Sequence, residues 1–67
     1  MAHHMFISTD EDIQWLFDTH LNRIARPEWV RFVILHGNED CPSKVELYDV
    51  EEPNFDSKPV FTIVFWE

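Results

Sequence analysis

The alternation of apolar and polar positions divides the chain into one helical stretch and three extended ones. The most uniformly apolar stretch is the last, Pro59-Val60-Phe61-Thr62-Ile63-Val64-Phe65-Trp66. Read with the two-residue period of a strand, it places Phe61, Ile63 and Phe65 on one face. Val60, Thr62, Val64 and Trp66 fall on the other, so both faces are built for burial. An earlier extended stretch, 29–36, is also apolar on both faces. Val30, Phe32 and Ile34 point one way, and Arg31, Val33 and Leu35 the other. A third stretch, 44–50, alternates cleanly: Val45 and Leu47 against Lys44, Glu46 and Tyr48, as expected of a strand with one wet face. Met5-Phe6-Ile7 is a short apolar run that reads either as a brief extra strand or as a clasp over the core.

Between Ile7 and the first long strand the period changes to that of a helix. Ile13, Leu16, Phe17, Leu21 and Ile24 form one stripe, with His20 in its middle and Trp15 nearly opposite. The spacing predicts a helix over 10–25. Ser8 with Glu11, or Thr9 with Asp12, offers a capping pair at its start. The acids Asp10, Glu11 and Asp12 suit the positive end of the helix dipole, and Arg23 and Arg26 the negative end. Pro27 is expected to close it. Gly37, the only glycine, is expected at positive φ in the turn after the first long strand. Phe55, in the loop 51–58, is expected to tuck against one end of the core.

The fold class is therefore α+β in two layers. One N-terminal helix packs on a three-stranded, mainly antiparallel sheet (αβββ, with or without the short first strand). Residues 5–67 make one domain, and Met1 to His4 read as an expression-tag remnant before a native Met5. One helix covers only one face of such a sheet. A simple meander also leaves the most apolar strand at an edge, where strands are normally blocked or paired. Both observations point to a second chain: a homodimer through the sheet. Tyr48, Val64 and Trp66 are its candidate interface residues, with Trp15 a further anchor on the polar side of the helix.

Composition sharpens this picture. A chain of 67 residues supplies only a small core, so a partner subunit or a metal is a common supplement. The single cysteine, Cys41, excludes an internal disulfide and fits a reducing, cytoplasmic setting. Thirteen acids stand against five Lys and Arg, a formal charge of −8. That balance argues against direct nucleic-acid binding and against anionic membranes. It permits a basic protein partner. Asp10, Glu11, Asp12, Asp18, Glu46, Asp49, Glu51, Glu52 and Asp56 would in that reading form a negative surface. The protein would then be an acidic inhibitor or antitoxin-like molecule imitating DNA. The bland explanation, a solvated acidic surface, needs no partner at all.

Catalytic chemistry finds little to work with. There is no phosphate-cradling glycine loop and no nucleophile elbow. Cys41 lies near His36, but Glu39 and Asp40 beside it oppose a thiolate. No enzyme activity and no cofactor is expected. His20, His36 and Cys41 are three potential zinc or pH-sensing groups, without the tight spacing of a zinc site. The leading expectation is a non-catalytic interaction protein.

Overall fold

The computed structural model describes residues 4–22 and 24–65; Arg23 and Trp66 lie outside them. Its elements are β1 (His4–Ile7), α1 (Asp10–Thr19), β2 (Phe32–Gly37), β3 (Pro42–Tyr48) and β4 (Phe61–Val64). The four strands form one antiparallel sheet in the order β1-β2-β3-β4. The α+β class holds, and the short N-terminal run is a fourth strand, with Met5 opposite Leu35 and Ile7 opposite Val33.

The register decides which sheet face is core. Ile7, Val33, Leu35, Val45 and Leu47 share one face and are buried against Ile13, Leu16 and Phe17 of α1. Leu21 and Val30 close this core from the connection between α1 and β2, and Ile63 and Phe65 pack at its margin. Each buried aliphatic side chain of this kind is worth roughly 1.5–3 kcal/mol.

The helix is shorter than its stripe. It begins as the capping signal indicates: the Thr9 hydroxyl accepts the Asp12 N–H at 3.1 Å. It ends at Thr19, well before Ala25 and Pro27. The His20 N–H still reaches the Leu16 carbonyl at 2.8 Å, but the Leu21 N–H goes to that same carbonyl, five residues back. The turn thereby loosens, and Leu21 reaches the core from outside the helix. Ile24 is exposed rather than continuing the stripe. Arg26 is not a helix-end cation. It reaches back to the start of α1, where Nη2 meets Asp10 Oδ1 at 2.5 Å and Nη1 donates to Gln14 Oε1 at 3.2 Å. It ties the connection to the helix.

Gly37 has φ of 104°, as its turn requires. A Cβ there would lie 2.8 Å from the Ser43 nitrogen and 3.0 Å from the Cys41 carbonyl oxygen, so glycine is needed for space as well as conformation. The register shifts at this point, between His36 and Gly37.

Candidate functional site

Opposite the helix, the sheet face is uncovered along its middle. The residues that alternate with the core residues point there: Phe6, Phe32, Ile34, Tyr48, Thr62 and Val64. Aromatic rings run across three strands of this face. Phe6 and Phe32 have centroids 5.8 Å apart. Phe32 and Tyr48 are 6.3 Å apart and nearly perpendicular at 81°, the edge-to-face arrangement that aromatic pairs favour. At the Gly37 end the same face turns polar, and His36 Nε2 meets Glu46 Oε1 at 2.5 Å.

Residues 49–60, between β3 and β4, build a wall beside the rings. Phe6, Phe32, Ile34, Tyr48, Pro53 and Phe55 line a cleft of about 440 Å³ with Glu52 at its rim. Phe55 does not tuck into the core. It is 97% exposed. It stands at the tip of a β-turn in which the Ser57 N–H donates to the Asn54 carbonyl at 2.9 Å. The Asp56 N–H donates to Asn54 Oδ1 at 2.9 Å, and the Asn54 N–H donates to Ser57 Oγ at 3.0 Å. These bonds fix the turn, and with it the outward course of Phe55.

Burial also acts on Tyr48, the only tyrosine. Desolvation, with a smaller contribution from the Glu46 carboxylate, raises its phenol above the ordinary 10.0.

The second exposed feature is β4. Among the described residues it pairs only with β3, which leaves its outer edge without a strand partner. The Phe65 N–H donates to the Ser43 carbonyl at 3.0 Å. By antiparallel alternation, Thr62 and Val64 direct their N–H and C=O groups to the free edge. Val60, Phe61 and Val64 are each about half exposed, and residues 59–65 carry no charge. On the helix side of β4, Ile24, Ile63 and Phe65 line a further cleft of about 540 Å³ together with His20 and Leu21.

The candidate interface residues fall on separate surfaces. Trp15 is on the helix, 38% exposed, with its ring edge-on to His20 at 5.5 Å. Phe6 does not cover it, since it lies against Phe32 on the opposite face of the sheet. Trp29 is also exposed. Tyr48 belongs to the uncovered sheet face but is itself buried. Val64 is on the same face at the β4 edge. Trp66 is outside the described residues.

His20 caps the end of α1 and is half-buried against Trp15, His36 is engaged by Glu46, and Cys41 is exposed in the β2–β3 loop. Among the described residues, no three His, Cys, Asp or Glu side chains gather as a metal site. No described helix is long and apolar enough to cross a membrane. No protein family, curated protein or solved structure matches this chain.

Phe6, Phe32, Ile34 and Phe55 were not among the interface candidates. Phe32 and Ile34 were legible as one strand face; Phe6 needed the pairing of β1. Nothing in the sequence pattern marks Phe55 as exposed, because an isolated loop phenylalanine is ordinarily buried.

Proposed function

We propose that the protein is a non-catalytic interaction module that works as a homodimer joined through β4. The observation that carries this reading is the free, uncharged edge of that strand. Edge strands are normally blunted by lysine, proline or a covering segment, because their unpaired backbone groups template a further strand. Here Pro59 stands just ahead of the edge, and β4 itself holds neither lysine nor proline. Charge bears on which surface a second copy takes. Each copy carries −8, so two copies repel, least where they meet through an uncharged strip. A two-fold axis beside β4 would set Thr62 and Val64 of each copy against the other and continue the sheet. A stable interface covers about 800 Å² per partner. The strand edge alone is too narrow for that, but Phe61 and Ile24 flank it on one side and Val64 on the other.

The test is the mass in solution. Sedimentation velocity across the micromolar range is expected to give a dimer. Thr62→Pro removes one N–H that faces the free edge and takes no part in the β3–β4 ladder. Proline is tolerated at such positions. This variant is expected to sediment as a monomer with an unchanged far-ultraviolet circular dichroism spectrum. A wild-type protein that stays monomeric throughout the range would remove the proposal.

A further inference from the structure

We infer that the cleft on the uncovered sheet face is a second binding site, separate from the β4 edge. Its ligand is a basic peptide segment of another protein that carries an apolar anchor side chain. Shape and charge together select this occupant. The floor is Phe6, Phe32 and Ile34, with Tyr48 beside them, and the wall is Pro53 and Phe55. Its volume of about 440 Å³ lies within the ~300–1,000 Å³ range of ligand pockets, enough for one or two large side chains.

The rim decides the sign of the partner. Segment 46–56, which supplies Tyr48, the wall and the rim, contains Glu46, Asp49, Glu51, Glu52 and Asp56 and no lysine or arginine. Glu51 faces Arg31 at 3.8 Å, an exposed pair of small consequence. A second copy docking here would bring two such acidic segments together, well inside the ~10 Å screening length of ordinary buffer. The same feature that disfavours a second copy attracts lysine and arginine. The hydrogen-bonded turn at Asn54 and Ser57 fixes the backbone that carries Phe55, so little backbone ordering accompanies docking. The anchor side chain lies between Phe55 and the ring floor while basic neighbours meet Glu52 at the cleft and the negative charge of segment 46–56 around it.

A short synthetic peptide with lysines at both ends and a central Leu-Phe pair probes this directly. Isothermal titration calorimetry gives the affinity, and amide chemical shifts of ¹⁵N-labelled protein locate the site. Saturable binding is expected, with shifts at Phe32, Ile34, Tyr48 and residues 52–55. Phe55→Ala alters only an exposed side chain and leaves the core intact. It is expected to weaken binding roughly tenfold, as loss of an anchor does. Glu52→Lys is expected to weaken it as well. Replacing Leu-Phe by Ser-Ser, or the lysines by glutamates, is expected to abolish binding.

Three results would overturn the inference: no saturable binding, equal binding of the glutamate peptide, or shifts confined to α1. A Phe55→Ala variant that turns a dimer into a monomer would also overturn it, because the occupant would then be a second copy. The peptide is titrated into wild-type protein and Thr62→Pro alike, so failure here is distinct from failure of the β4 dimer.

Discussion

At the scale of single residues, Tyr48 is the most informative position. Its ring completes the aromatic row with Phe32, and burial is the main reason its phenol stays protonated beyond the usual range. Because it is the only tyrosine, absorbance near the phenolate band reports it alone. The expected midpoint lies above 10.0 in the folded protein and returns toward that value in denaturant. Glu46→Gln is expected to lower the midpoint without fully restoring it, since burial remains. A folded-state midpoint at or below 10.0 would contradict this environment. The linkage to stability follows from the direction of the shift. Between the unfolded and folded values, the folded state binds more protons, so stability falls as pH rises through that window. The contribution is whole below about 10, the unfolded value. Gly37 shows the same residue-scale logic from the sequence side. A lone glycine after a strand signalled positive φ, and both the conformation and the crowding around it agree. Phe55 shows the limit: its exposure depends on the turn at Asn54 and Ser57, which hydrophobicity does not encode.

At the scale of elements, the strands were readable and the helix end was not. Two-residue alternation located β2, β3 and β4, because each is longer or more regular than any competing pattern. It could not choose between the faces of β2 and β4, because both are apolar. The choice came from long-range register, which sets Val33 against Leu47 and Val45 against Ile63. The helical stripe ran past the true helix because Leu21 occupies the core from a non-helical position. A signal for the earlier stop was present. Asp18, Thr19, His20 and Asn22 are poor helix formers, and Asp18 sits against the negative end of the dipole. A ten-residue helix is marginal alone, so α1 depends on its cap and on Ile13, Leu16 and Phe17. Thr9→Ala is accordingly expected to cost about 1 kcal/mol. For a domain of this size that is roughly a 4–8 °C drop in Tm by thermal unfolding. Ser8→Ala is expected to change Tm little, because the Thr9 hydroxyl makes the capping bond. Equal losses at the two positions would reassign the cap.

At the scale of the whole molecule, the sequence pattern indicates one surface for a second chain, across the sheet at Tyr48, Val64 and Trp66, with Trp15 on the helix as a further anchor. The structure separates two unfinished surfaces with different electrostatics. One is the uncharged edge of β4; the other is the apolar cleft with an acidic rim. The occupants proposed for them differ accordingly, and salt distinguishes the two. Two copies of charge −8 repel at long range whichever surface joins them. Added salt screens that repulsion while leaving an uncharged edge contact nearly unchanged. The proposed homodimer is therefore expected to tighten as ionic strength rises. A lysine-rich peptide in the cleft is held partly by the rim acids, so its affinity is expected to fall over the same range. Sedimentation equilibrium and peptide titration at matched low and high salt measure the two slopes. Slopes of opposite sign support both assignments. A dimer that weakens with salt would place charged pairs in its interface and rule out β4 as its centre. A peptide affinity indifferent to salt would leave the cleft apolar contacts only and remove the acidic rim from recognition.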